Sequence, residues 1–267
     1  MTQKTILITG STDGIGKLAA AKLAGVGHQL ILHGRNPDKL ESTIQEIRSS
    51  SGNNAISGLT TDFSDLKAVR EMVKKLSENA TTIDVLINNA GVYKSRESVT
   101  EESLEMRFVV NYLAPYLLTK GLLPLLKKAK SPRVINLSSA AQAPVSLAAL
   151  EGEKQLSHQA AYAQSKLAIT MWSTYLARSE PSLNVVAVNP GSLLNTNMVR
   201  EGFGFHQAPA DKGASILFDL ATSPKYENAS GKYFDNDLGG FRQMHPSGLK
   251  WANIEELIRK TEELIFR

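Results

Sequence analysis

Residues 5–16 read "TILITGSTDGIG", and "KLAAAKLAGVG" follows directly at 17–27. A short apolar, β-branched run, then three glycines in eight residues, then an alanine- and leucine-rich stretch of helical period predict strand, tight turn and helix. Glycines at 10, 14 and 16 let the backbone turn sharply and let a pyrophosphate approach bare amides. The helix that follows turns its N-terminal dipole toward the same anion. Gly10, Ser11, Thr12, Gly14, Ile15 and Gly16 are therefore the candidate phosphate cradle. The same glycines also suit a turn that merely links strand to helix, and their spacing is not the GxGxxG of the better-known dinucleotide fingerprint.

Outward from this turn, apolar runs of strand length alternate with longer helical segments, which predicts βα units around a parallel sheet. The expected strands are "TILIT", "QLILH", "AISGLT", "DVLIN", "RVINLS", "NVVAVN" and "KYF". Helices are expected to begin near Gly14, Pro37, Ser64, Glu101, Gln159 and Pro209, the fourth running to about Lys128. Together they make one α/β domain over residues 1–267, doubly wound, with a seven-stranded, mainly parallel sheet and helices on both faces. Residues 140–158 and 191–208 break the rhythm after strand ends, where ligands bind in open α/β sheets. The second, apolar segment predicts a lid over 192–208, with Gly202 and Gly204 as hinges. "WANIEELIRKTEELIF" predicts a C-terminal surface helix over 251–265.

Composition narrows the function classes. A 42% hydrophobic and 21% charged chain of 267 residues suits a soluble globular protein, and a net charge of +4 without a basic run gives no footprint for nucleic acid. Absence of cysteine excludes disulfides, thiolate metal sites and a cysteine nucleophile, and fits a cytoplasmic location. No leader and no membrane span are expected, and the five histidines show no metal-ligand spacing.

The second expected strand ends in "ILHGRN" with no carboxylate at its tip. An acid there would accept the adenosine ribose hydroxyl of NAD and repel the extra phosphate of NADP. Gly34 leaves room instead, and Arg35 with Asn36 offers a guanidinium fork, so NADP(H) is favoured over NAD(H). A solvated arginine at a loop start is the other way to read Arg35.

Tyrosine and lysine stand four apart twice, in "YLLTK" at 116–120 and "YAQSK" at 162–166, and in a helix either pair shares one face. Spacing does not separate them. Only Tyr162 opens a helix that follows the serine loop at Ser139, beside the expected ligand edge; Tyr116 lies inside a long helix, as a packing residue would.

"TGSTDGIG", "NNAG" at 88–91, "YAQSK" and "NPG" at 189–191 together resemble the short-chain dehydrogenase/reductase superfamily, which has a Rossmann-like fold. The long insert between Ser139 and Tyr162, and "SKLAI" after the tyrosine, are most similar to the retinol dehydrogenase and WW-domain oxidoreductase branch. The resemblance implies a hydride transfer between NAD(P) and a small-molecule carbonyl or alcohol, with Asn111, Ser139, Tyr162 and Lys166 as catalytic residues. Asn111 is implied to hold a water that returns protons from solvent. Asp62 and Phe63 are implied at the adenine, Asn89, Ala90 and Gly91 along the adenosine, and Tyr162, Lys166, Pro190, Gly191 and Thr196 around the nicotinamide and its ribose. The gap before Thr196 is one residue longer than the common pattern. Taken singly, "NNAG" also suits a strand-end turn, Asp62 a helix N-terminal acid and Asn111 a helix-interior amide. A homodimer or tetramer is implied as well, packed through the helices expected at 101–128 and 159–179. A catalytically weak NADP sensor on the same fold is the alternative function.

Overall fold

In the computed structural model, which describes residues 2–266, Ile6 and Ile8 pack into one hydrophobic core while Leu7 between them packs into another. Leu30 and Leu32 divide from Ile31, and Val85 and Ile87 from Leu86, in the same way. This period of two marks strands buried on both faces. The strands are β1 (Thr5–Ile8), β2 (Gln29–Gly34), β3 (Ile56–Thr60), β4 (Val85–Asn88), β5 (Arg133–Leu137), β6 (Asn184–Asn189), β7 (Tyr233–Asp235) and β8 (Gly240–Arg242). They form one sheet in the order β3-β2-β1-β4-β5-β6-β7-β8. Only β8 is antiparallel to its neighbour. The connections reverse between β1 and β4, which opens a crevice beyond the C-terminal strand ends.

The helices are α1 (Gly14–Gly25), α2 (Pro37–Ser51), α3 (Leu66–Asn79), α4 (Met106–Leu126), α5 (Leu147–Leu150), α6 (His158–Ser179), α7 (Asn197–Phe203), α8 (Ala210–Thr222) and α9 (Trp251–Ile265). Helices α1, α2 and α8 cover the face of Ile6 and Ile8; α3, α4, α6 and α9 cover the face of Leu7.

Two expectations need correction. The sheet has eight strands: β8 is a three-residue hairpin partner of β7, too short to carry a pattern. Helix α4 begins at Met106, not Glu101, because the Glu105 carboxylate caps it, accepting from the N–H groups of Arg107 (2.7 Å) and Phe108 (3.1 Å). The same carboxylate forms a buried ion pair with Arg107. Among the described residues one segment, Met106–Leu126, is long and apolar enough to cross a membrane, and 78% of its most apolar stretch is buried inside the protein. Its apolar length is spent on the core. Within α4 a π-helical turn spans Val109–Leu113 and carries Asn111.

Helix α9 buries Ile254, Leu257, Ile258, Thr261 and Ile265, a stripe at helical spacing. It lies across α4 and α6: Tyr112 shares a hydrogen bond with Thr261 (2.7 Å), the Tyr116 hydroxyl donates to Glu262 (2.9 Å), and Trp251 stacks on Tyr175. Met171 and Trp172 are buried within the chain. The apolar helix faces from which a subunit interface was expected are thus covered internally.

Candidate active site

The phosphate loop is held by the residues after β4. Gly10 has φ +62°, and a Cβ there would stand 2.8 Å from the Ala90 Cα; at Gly16 it would stand 2.4 Å from the Asn89 amide nitrogen. Glycine is required at both because the two loops touch. Asn89 donates to the Thr9 and Gly10 carbonyls (2.8 Å each), and the Thr9 hydroxyl accepts from the N–H groups of Asn89 and Ala90 (3.0 Å each). "NNAG" is therefore a brace for the loop that would carry the pyrophosphate.

His33, absent from the candidates above, ties three strand ends together. Its Nδ1 accepts from the Gly10 N–H (3.1 Å), its Nε2 lies 3.0 Å from the Thr61 carbonyl, and its ring stacks on Phe63. Burial pushes its pKa down to about 4, so at neutral pH the imidazole is uncharged and its Nδ1 is an acceptor. The available signal was a polar residue among apolar ones near a strand's C-terminal end.

Two predicted cofactor residues turn out to serve this brace. Ser11 is fully buried, and its hydroxyl is engaged by the His33 backbone, accepting at 2.9 Å and donating at 3.3 Å. The Phe63 ring is buried against His33, which leaves only its backbone to face an adenine. Thr12, Gly14 and Ile15 remain partly exposed. The room at Gly34 is taken by Thr12, whose methyl would lie 2.5 Å from a Cβ there. Arg35 is exposed and has no ion pair among the described residues, and Asn36 caps α2 by accepting from the Lys39 N–H (2.8 Å). Asp62 is exposed and accepts from Ser64; the α3 cap is Asp65, so Asp62 is not the helix-terminal acid.

Ser139 follows β5, and Tyr162 and Lys166 occupy the first turns of α6. The Ser139 hydroxyl accepts from the Ala141 N–H (3.1 Å), which leaves its proton for Tyr162 or a ligand. Burial pushes the Tyr162 phenol up, and the neighbouring Ser139 hydroxyl works against that. Lys166 lies 5.5 Å from the Tyr162 ring centroid and donates to the Leu137 carbonyl at 2.8 Å. Burial lowers its pKa to about 8. A Cβ at Gly91 would meet the Asn111 Oδ1 at 3.2 Å and the Lys166 Nζ at 3.6 Å, so these groups share one small space. The Asn111 oxygen accepts from the Val92 N–H (2.8 Å), and its amide donates to the Val92 carbonyl and Ser165 hydroxyl (3.0 Å each). That side chain is a brace. Its backbone carbonyl, in contrast, lies within the π-helical turn, where the regular α-helical ladder is interrupted just before Pro115.

Tyr116 and Lys120 both point to the Glu262 carboxylate, at 2.9 Å and 3.5 Å. Their common spacing serves the docking of α9.

Tyr233 and Gln142 also escaped the sequence reading. Both donate to the Ser139 carbonyl, at 3.0 Å and 3.2 Å, and fix the serine loop. Asp237 does the same for the loop after β6. Although burial works against it, hydrogen bonds from Ser192, Asn189 and Lys212 hold its carboxyl near a pKa of about 2. The Ser192 hydroxyl donates to it at 2.6 Å, which anchors the segment just after Pro190 and Gly191. The segment 192–208, expected as a lid, is closed at its base by a bridge between Leu194 and Ala208. Thr196 caps α7, and its methyl lies 3.4 Å from where a Cβ on Gly14 would be. Asn197 and Lys39 both donate to the Asp13 carboxylate, which joins α7, the phosphate loop and α2. Gly202 is a packing position rather than a hinge: its bare Cα rests on the Tyr93 ring.

The pattern of the family described as "short chain dehydrogenase" matches residues 4–204. Retinol dehydrogenase 13 of Mus musculus is 34% identical over 276 residues, covering 96% of this chain and 81% of that protein. Polyprenol dehydrogenase of Homo sapiens is 32% identical over 258 residues, covering 88% and 77%. Among solved structures, a short chain dehydrogenase of Shigella flexneri 2a complexed with NADP is similar at a TM-score of 0.72 and 25% identity, covering 89% of this chain and 98% of that one. A protein from Mycobacterium paratuberculosis reaches 0.79 at 25% identity, covering 99% and 94%. With the glycine loop, the braced "NNAG" turn and the Ser139, Tyr162 and Lys166 cluster on one edge of the sheet, the chain belongs to the short-chain dehydrogenase family, in its retinol dehydrogenase-like branch, and is an NAD(P)-dependent oxidoreductase.

Proposed function

We propose that the enzyme reduces the carbonyl of a small, fairly apolar molecule with NADPH, and that Tyr162 is the proton donor. The observation that carries this reading is the meeting of three groups beyond the end of β5: the Ser139 hydroxyl, the Tyr162 phenol whose burial-raised pKa it works to lower, and the buried Lys166 ammonium 5.5 Å from the phenol ring. The residues fit a dinucleotide, because Thr12, Gly14 and Ile15 at the turn from β1 into α1 stay partly exposed beside the crevice between β1 and β4. When bound, the nicotinamide supplies the hydride.

The chain's own groups do the rest. Ser139 donates to the substrate oxygen and holds the carbon in place for attack. Tyr162 passes its proton to that oxygen as negative charge develops there. Lys166 makes this affordable at neutral pH: with a pKa of about 8 it is still mainly cationic, and it stabilises the phenolate one helical turn away. It would also bind the ribose hydroxyls. The Asn111 carbonyl, at this break in the helical ladder, is suited to hold the water that returns a proton. A lid carrying Leu194, Met198 and Phe203 suits an apolar substrate. A screen of ketones and aldehydes with NADPH oxidation as readout tests the proposal. Tight NADPH binding with no oxidation by any carbonyl would favour the sensor instead.

The preference for NADPH rests on exposed Arg35 at the tip of β2 and the lack of an acid there. Arg35→Ala is expected to weaken NADPH about tenfold or more, the loss of a charge-assisted hydrogen bond, and to leave NADH nearly unchanged. Tighter binding of NADH than NADPH by the wild type would overturn the preference. We also read the enzyme as active in a single subunit, since α9 covers the helix faces a partner would use. Light scattering should then give the mass of one chain, 29.0 kDa, with or without NADPH; a dimer mass would put the interface on another surface.

A further inference from the structure

The loop after "NNAG" is held more firmly than a connection needs. Asn111 grips both backbone groups of Val92, and the Nε of Arg107 donates to the Tyr93 carbonyl at 3.0 Å. Arg107 is completely buried, with the Glu105 carboxylate as its partner. A buried ion pair is seldom a net gain in stability, and truncating one partner leaves a stranded charge. Here the pair immobilises the backbone that carries Tyr93.

The Tyr93 ring meets the Tyr162 ring edge-on, with centroids 5.1 Å apart. Its other neighbour is Phe203 of the lid helix α7, stacked at 5.0 Å with 28° between planes. Phe203 is 46% exposed, so one side of its ring faces solvent while the other lies on Tyr93. A fixed aromatic wall thus stands beside the proton donor, and a solvent-facing aromatic on a pinned flap lies against it.

We propose that Tyr93 is a specificity-determining residue that selects carbonyls borne on a flat aromatic ring, and that Phe203 occupies the face such a ring takes when the lid is closed without substrate. This deepens the reductase reading of the same site and rests on it. A carbonyl oxygen within reach of Tyr162 and Ser139 carries its substituent past Tyr93. A planar ring pairs with Tyr93 as Phe203 does, and the lid then closes over it, whereas a puckered ring of equal size cannot stack.

Benzaldehyde and cyclohexanecarbaldehyde differ in planarity at similar size, and their reduction by NADPH tests the proposal in the full-length chain. Tyr93→Leu is expected to lower the benzaldehyde-to-cyclohexanecarbaldehyde ratio of kcat/KM about tenfold, mainly by raising KM for benzaldehyde. Cyclohexanecarbaldehyde should lose less than benzaldehyde, and a Tm close to that of the wild type reports an intact fold. Tyr93→Phe keeps the ring and should keep the ratio. If both aldehydes are reduced and Tyr93→Leu leaves the ratio unchanged, or if Tyr93→Phe lowers it equally, the role of Tyr93 falls while the reductase reading stands. No oxidation of NADPH by either aldehyde or any other carbonyl overturns both.

Discussion

Tyr162→Phe is expected to reduce turnover by about 10²–10⁴-fold, the usual worth of a positioned proton donor, while NADPH still binds. The ring and its edge contact with Tyr93 remain; only the hydroxyl and its proton are lost. Tyr116→Phe is the matched control, since Tyr116 stands in the same sequence relation to Lys120. It should cost about 1 kcal/mol of stability through the lost bond to Glu262, and leave turnover nearly intact. Stopped-flow and steady-state NADPH oxidation by the two variants distinguish the sites; equal losses would show that the choice between the tyrosines is wrong.

Lys166→Met should separate function from stability more sharply. Activity is expected to fall about 10²–10⁴-fold, because the phenolate loses its charge partner. The folded protein without cofactor should nevertheless become more stable. Burial lowers the Lys166 pKa from 10.5 to about 8, a penalty of about 3 kcal/mol that is in full force below pH 8. As pH rises from 8 to 10.5 the folded state has already given up its proton while the unfolded chain still holds one, so the penalty fades and is gone above 10.5. Methionine removes it but forfeits the bond to the Leu137 carbonyl, which leaves a gain of about 1–2 kcal/mol and a Tm higher by about 2–6 °C at pH 7. The gain should vanish in melts near pH 10.5. A variant less stable than wild type at pH 7 would mean that Lys166 sits there without strain.

The fold was legible where one local rule acts alone. The turn at residues 9–16 could be read because strand, glycines and helix are adjacent, and α9 because its apolar stripe is regular. Other features depend on distant partners. Ser11 looks like a phosphate contact until His33 claims its hydroxyl. Gly34 looks like an opening until Thr12 fills it, and Gly202 like a hinge until Tyr93 is found beneath it. Glu105 ends the apparent helix from Glu101 because its carboxylate caps the next turn, a contest that periodicity does not register. Tyr233, Gln142 and Asp237 come from segments with no motif. They act only through the backbone they hold, and so leave no pattern in the sequence.

The C-terminal helix carries one further consequence, for the order in which the chain is made. Tyr112, Tyr116 and Trp172 are synthesised long before Thr261 and Glu262, the residues of α9 that receive the two phenols. A chain leaving the ribosome at ~5–20 residues per second can pair its parallel strands while this side of the core still faces water. Until residues 251–265 are available, the flank that carries Tyr112, Tyr116 and Trp172 lacks the helix that covers it.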